Sequence, residues 1–536
     1  MKRIFFLLTL ISALIFSTAA TFAEDVGNGK KIIYIPIDSR PVNFVQTIDV
    51  AERLGYEILV PPEIFLGTGA KAEQFGNPAE LWNWLYENAP QADAAVISTD
   101  AMLYGSLVAS RQHNLTPEEI LERAKNFSKL HEENPNLPLY VFATIMRTPS
   151  VGMVSNTDAK SYTYYYKQIF RYTVLTDKDE TDKLTNAEQK EFEQLKKEIP
   201  AYALEDWFGR RAKNYDANKY FVDLTKADTF QYFLAGGDDG ARYSQTHLES
   251  RHLSEYGKPL GKEKLQVMSG ADELGMLMIS RAINNDLHHV PFIAIGYNAG
   301  KGGETFPTFS NEKISDALEG AIFSIGGIRV TNPANADLVL AVNTFPNGKT
   351  KSADNKKNKS KPHSGIGPYM KMLKGYLKNN YPVGVVDIAT SNGSDNALMK
   401  RLKNENLQFK IRSYSGWNTA TNSAGFLIGA GVLTNYMNDA DIYSLLMTRY
   451  LDDWAYQSNV RTQINNGLIW TIPGDGHAWG LGTRQEGLEK LASDLTADFA
   501  KKNIRLPRGY VLKNIQVNFP WSRTFEAEVN FDLDEN

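Results

Sequence analysis

The feature that most constrains this chain is a recurrence of short, unbroken apolar runs, each closing in a polar and often acidic loop. Residues 32–37 run into Asp38, and residues 94–97 into Ser98-Thr99-Asp100. Residues 139–146 close at Arg147, and residues 230–234 lead to Gly236-Gly237-Asp238-Asp239. Residues 265–268 meet Gly270-Ala271-Asp272-Glu273, and residues 292–295 meet Tyr297-Asn298. Two further runs, 338–342 and 383–386, end at Asn343 and Asp387. Continuous rather than alternating apolar runs mark strands buried on both faces, and so a mainly parallel sheet. Helical patterns at 80–87, 117–129, 273–284 and 396–404 lie between them and complete the order of βαβ units. These eight runs predict an α/β main domain resembling a (β/α)8 barrel. Candidate strands at 57–60 and 409–411 exceed the barrel count, so a doubly wound parallel sheet is the alternative. Either architecture places an active site in the loops at the carboxyl ends of the strands.

The flanking segments have other characters. Residues 1–23 join a basic start (Lys2, Arg3) to an apolar run and to Thr21-Phe22-Ala23, the pattern of a signal peptide cleaved after Ala23. The expectation is an exported protein of the periplasm, envelope or medium, with no membrane span once the signal is removed. Residues 24–435 are read as the catalytic domain, with a helical insertion at about 160–228 that is aromatic first and then highly charged. Residues 436–536 are read as a C-terminal helical element ending in strand, because the tail around 525–531 alternates. The lysine-rich stretch 349–362 reads as an exposed, mobile loop. The chain has no cysteine, so disulfides, thiolate nucleophiles and cysteine metal sites are excluded. With 62 acidic and 58 basic residues it has no basic excess to attract nucleic acid.

The chemistry-bearing groups sit in the loops. Asp238 and Asp239 follow a buried strand and two glycines. Adjacent carboxylates at one strand end repel, so one holds its proton to higher pH. A protonated acid beside an ionised carboxylate is what glycosidic bond cleavage requires. A plain turn is the competing reading of Gly-Asp-Asp-Gly. Asp272-Glu273 repeats the pair, or simply begins a helix. Asp38, Arg40 and Asn43 can clamp hydroxyl groups or merely shape their own loop. Asp100 can bind a sugar or cap a helix, while Arg111 and Arg147 are partners for these acids or for an anionic substrate. Trp417-Asn418, after Gly416 and before Asn422, suits a sugar-stacking ring beside an amide, or a buried seam. Asn298 joins the group if all strand ends face one way. The expected sugar-lining set is therefore Asp38, Arg40, Asp100, Arg147, Asp272, Glu273, Asn298, Trp417 and Asn418 around catalytic Asp238 and Asp239.

Five of these stretches together resemble an uncharacterised bacterial family, the domain of unknown function 4127. They are Ile35-Pro36-Ile37-Asp38-Ser39-Arg40-Pro41-Val42-Asn43, Ser98 to Gly105 with Ala109-Ser110-Arg111, Gly236 to Asp239, Gly270 to Glu273, and Gly416 to Thr419. That resemblance supplies no reaction. A more distant one is to O-GlcNAcase-like glycosidases, (β/α)8 barrels with an Asp-Asp pair on the fourth strand. It implies that Asp238 orients a substrate acetamido group and that Asp239 is the acid/base. The combined expectation is an exported glycoside hydrolase acting on an envelope or environmental glycan, possibly one with N-acetylhexosamine, that needs no cofactor. The alternatives are a hydrolase that binds a divalent cation through the same acids, and a glycan-binding envelope protein without catalysis.

Overall fold

The computed structural model describes residues 26–150, 155 and 157–535; the expected signal segment lies outside them. The apolar runs form strands as their composition demands. A first sheet holds β1 (Lys31–Ile35), β2 (Glu57–Leu59), β3 (Ala94–Ser98), β4 (Leu139–Ile145), β5 (Tyr232–Gly237) and β6 (Leu265–Ser269), in the order β2-β1-β3-β4-β5-β6. A second holds β7 (Phe292–Tyr297), β8 (Ile328–Val330), β9 (Leu338–Asn343), β11 (Val383–Asp387) and β13 (Ser413–Ser415), in the order β13-β11-β9-β7-β8. All neighbours in both sheets pair in parallel. Every residue of β3, β4, β5, β9 and β11 is buried.

The two sheets share one plan. Counting strands within each sheet, the first five of the first sheet and all five of the second follow the order 2-1-3-4-5. This is the doubly wound order, with its switch between the first and third strands. The expected barrel is therefore replaced by two open sheets, as the doubly wound alternative has it. Two helices show why. Leu274–Asp286, which leaves β6, is buried from Leu274 through Asn284, and Ala420–Leu433 is buried at every position. Helices apolar all round must be covered on all sides, whereas the outer helices of a barrel keep one face in water. These two instead pack on each other between the halves. Gly425 lets them approach, since a Cβ there would lie 2.4 Å from Glu273 Cγ.

Three helices, Lys160–Thr181, Asn186–Glu198 and Ala201–Lys226, stand between β4 and β5. The second is started by a capping box of Thr185 and Glu188. Beyond the second sheet, helix Asp439–Arg449 continues into a wide-turned π segment, Tyr450–Val460. Helix Gln485–Asn503 then packs against an antiparallel hairpin of β14 (Tyr510–Asn518) and β15 (Glu528–Glu535). The lysine-rich stretch is not loose. Its β10 (Lys351–Ser352) pairs with β12 (Thr390–Ser391), and Asn358 Nδ2 donates to the Ala353 and Ser394 carbonyls. Its polar composition reflects a solvated outer face on an anchored backbone. No helix among the described residues is long and apolar enough to cross a membrane.

Candidate functional site

The strand ends of the first sheet gather two linked groups of charge. The first is built on β5. Its ladder with β4 continues past the last strand residue, with Asp238 N–H donating to the Ile145 carbonyl and Thr148 N–H to that of Asp239. The two acids are thereby fixed by backbone. Gly236 is required just before them, because a Cβ there would sit 2.2 Å from the Gly270 carbonyl oxygen. Arg111 Nε and Nη2 donate to Asp238 Oδ2 at 3.1 and 2.5 Å. Arg147 Nη1 donates to Asp239 Oδ2 at 3.2 Å, while its Nε and Nη2 grip Asp158 at 2.8 and 2.6 Å. Thr157 Oγ1 accepts from both arginines.

Asp239 differs from its neighbours. Its side chain is 23% exposed, against 7% for Asp238. Desolvation by the surrounding residues, then the charge of Asp238, pushes its carboxyl up to about 6, and Arg147 and Arg111 offset part of the rise. Asp272 adds to it, which ties the β5 pair electrostatically to the β6 loop. Asp100 is also raised to about 6, by burial, but it is closed off: Thr144 N–H and Oγ1 donate to its two oxygens at 2.8 and 2.7 Å. Its role is to join the ends of β3 and β4. The helix start at Thr99 is capped by Ser98 instead.

The second group is centred on Asp272, where the two halves meet. Arg40 grips it with Nη1 and Nη2 at 3.1 and 2.6 Å and holds Asp38 through Nε at 2.9 and 3.0 Å. Asn43 Nδ2 donates to Asp38 at 2.9 Å. From the second half, Asn418 Nδ2 donates to Asp272 Oδ2, and Asn422 Nδ2 reaches the same oxygen at 3.4 Å. Trp521 Nε1 donates to Ser39 Oγ at 3.1 Å, with Arg40 over its ring. Asp38, Arg40, Asp272 and Asn418 are buried and mutually satisfied, so they form the joint between the sheets.

Three expected lining residues are placed elsewhere. Asn298 spends its amide on the Thr344 backbone and hydroxyl. Trp417 is buried against Phe525. Glu273 has no exposed surface, and among the described residues neither carboxyl oxygen makes a full hydrogen bond, with the Glu273 and Ala271 backbone N–H groups turned toward it. Its pKa is raised well above the usual carboxylate range, by burial first and then by Asp272, so it is a neutral acid inside the helix–helix seam. The sign of its linkage is fixed. The folded state keeps a proton that the unfolded state loses above pH 4.5, so stability falls as pH rises through that window. Glu273→Gln is expected to remove this slope, about 1.4 kcal/mol per pH unit where only the folded form is protonated. Urea unfolding of both proteins at mildly acidic and neutral pH checks it; parallel pH dependences would refute the assignment.

Several buried polar groups lie outside the expected set. Glu312, in the loop after β7, accepts from Ser269 N–H at 2.6 Å, and burial raises it to about 7. At the ends of β9 and β11, Asn343 Nδ2 donates to Asp387 at 2.8 Å and to Asp395 at 3.2 Å, and Tyr414 OH donates to Asp387 at 2.8 Å. Burial and the Asp395 charge raise Asp387 to about 7. His363 lies 2.7 Å from Asp395 through Nε2. Asp387 closes an apolar run and was visible as a strand end; Glu312 and His363 carry no local signal. A separate cavity of about 370 Å3, lined by Arg53, Phe426, Arg449 and Phe531 among others, shares none of the strand-end carboxylates. Among the described residues no three carboxylates or imidazoles are arranged to hold a metal ion.

A family model described as "Protein of unknown function (DUF4127)" matches residues 32–530, a span that contains all five of the loops above. No curated protein matches the chain.

Proposed function

We propose that this chain, which belongs to the DUF4127 family of proteins of unknown function, is a glycoside hydrolase in which Asp239 is the general acid and Asp238 its partner carboxylate. The observation that carries the reading is the contrast within the pair. Asp238 is buried and matched by Arg111, whereas Asp239 reaches solvent and is held up to about 6. Two neighbouring carboxyls driven apart by environment divide acid and base roles between them. Asp239 protonates the departing oxygen. Asp238, fixed by Arg111, stabilises positive charge at the reacting carbon or orients a substrate acetamido group. Arg147, itself anchored on Asp158, sets the rotamer of Asp239 and stabilises the carboxylate that proton transfer leaves on it. The substrate class is an envelope or environmental glycan, with N-acetylhexosamine units the first to test.

A general acid must enter the cycle protonated. Turnover is therefore expected to fall about tenfold per pH unit once pH exceeds about 6. Release of reducing ends from chitin oligosaccharides, peptidoglycan fragments and β-glucans, followed from about pH 4 to about pH 8, measures this. A rate that rises through neutrality, or one lost to chelator and restored by a divalent ion, would replace the carboxyl acid with metal chemistry.

A further inference from the structure

The cavity of about 370 Å3 lies where the two halves and the C-terminal element meet. One wall is the helix Val45–Glu52, which follows the Asp38 to Asn43 loop of the first half. The seam helix Ala420–Leu433 and the residues entering β13 bring in the second half, and helix Asp439–Arg449 with β15 completes the wall. Its lining is largely apolar, with Val50, Phe426, Ala430, Leu446 and Phe531. A concave apolar space of this volume, at a seam between halves and with a few charged groups, is the form that small-molecule sites take.

The charges along it decide what it accepts. Arg53 is engaged on all sides: Nε donates to Asp49 and Nη1 to Asp441, each at 2.9 Å, and Nη2 to Ser444 Oγ at 3.0 Å. Arg449 is held by Asp452 at 3.3 Å and Asp453 at 3.2 Å. Arg412 differs. Its backbone N–H donates to the Val383 carbonyl at 2.8 Å, but its half-buried side chain makes no hydrogen bond or ion pair among the described residues. It also faces a neighbouring depression whose other charged groups are Lys374, Lys378 and Lys410, with no carboxylate among the described lining residues. Of the acids along the cavity, Asp49 is matched by Arg53, and Glu528 accepts from Asn530 Nδ2 at 3.1 Å. The Arg412 end is therefore an unmatched planar cation, in a positive field, beside an apolar floor. A guanidinium with unused donors is suited to a carboxylate, which it grips with two parallel hydrogen bonds.

We propose that this cavity is a second ligand site, which takes a small amphipathic carboxylate with its apolar body over Phe426 and Ala430 and its charge on Arg412. It is independent of the glycan reading, because no strand-end acid lines it. An occupant touches both halves and the C-terminal element together, so binding stabilises the folded chain as a ligand that only the folded state can hold.

Calorimetry and thermal unfolding with 3-phenylpropionate and octanoate at neutral pH test this in the full chain. Phenethylamine and 3-phenyl-1-propanol serve as cationic and neutral counterparts of the first probe. Wild type is compared with Arg412→Gln, Arg412→Lys and Ala430→Leu. The expected result is that at least one carboxylate binds and raises the unfolding temperature, while the alcohol binds more weakly and the amine does not bind. Arg412→Gln should weaken carboxylate binding about tenfold or more, the range for a hydrogen bond to a charged group. Arg412→Lys should restore part of it, and Ala430→Leu, which fills the floor, should abolish it. No binding of either carboxylate overturns the proposal, as does wild-type affinity in Arg412→Gln or in Ala430→Leu. An amine that binds as tightly as the carboxylate overturns it in favour of a cationic ligand at Glu528. Unliganded Arg412→Gln should unfold within a few degrees of wild type, since the replaced guanidinium has no partner to lose, and this shows that the variant folds.

Discussion

Asp239→Asn is expected to lower turnover of the preferred glycan about a hundredfold or more while leaving the fold and glycan affinity intact. Proton donation by a positioned acid contributes roughly a hundred- to ten-thousandfold, and an amide of the same shape cannot supply it. The structural cost is small. The side chain is partly exposed, its ion-pair contact is 3.2 Å to an Arg147 already satisfied by Asp158, and the backbone bond from Thr148 does not depend on its chemistry. Initial rates at saturating substrate, with calorimetric affinity on the same preparations, separate the two effects. Glycans bearing a good leaving group, which need little protonation, should lose less than natural ones. Undiminished turnover on both kinds would remove Asp239 from the chemistry.

How far the sequence revealed this arrangement depended on the range of the signal. Strand identity was readable because a parallel strand buried on both faces leaves no alternation, as in residues 94–97 and 338–342. Closure was not, because a barrel and an open sheet use the same strands. The deciding clue lay in the helices, where the unbroken burial of residues 420–433 is incompatible with an outer ring. The loops were found for the same reason as the strands: Asp38, Asp100, Asp238 and Asp272 each follow the end of an apolar run. What most of these acids do there is set by partners outside their own loop, Thr144 being 44 positions from Asp100 and Arg111 127 from Asp238. Asp272 reads locally as a helix start, and only Arg40 and Asn418, 232 and 146 residues distant, make it a joint. Glu273 reads like Asp272, yet one step along the turn points it into the seam beneath Gly425. Trp417 and Trp479 show the converse, since the ring in the conspicuous motif is buried and the ring in an unremarked loop is open.

The joint itself yields the second large effect. Arg40→Met is expected to destabilise the protein by about 3–5 kcal/mol, the cost of stranding a buried charge. Arg40 is the cation for Asp38 and Asp272 together, and both acids are buried. Removing it leaves two carboxylates facing each other, met by the side-chain amides of Asn43, Asn418 and Asn422 and by the backbone N–H of residue 40. If stranded charge is the cause, deleting the charges should undo most of the harm. The triple variant Asp38→Asn, Arg40→Met, Asp272→Asn is therefore expected to be more stable than Arg40→Met alone. Urea unfolding of the three proteins tests this. A triple variant less stable than the single one would mean that Arg40 acts through the packing of its stem on Trp521. In that case the ion pairs orient the two halves without holding them together, and loss of glycan turnover in Arg40→Met would report misalignment of Asp239 relative to the second sheet.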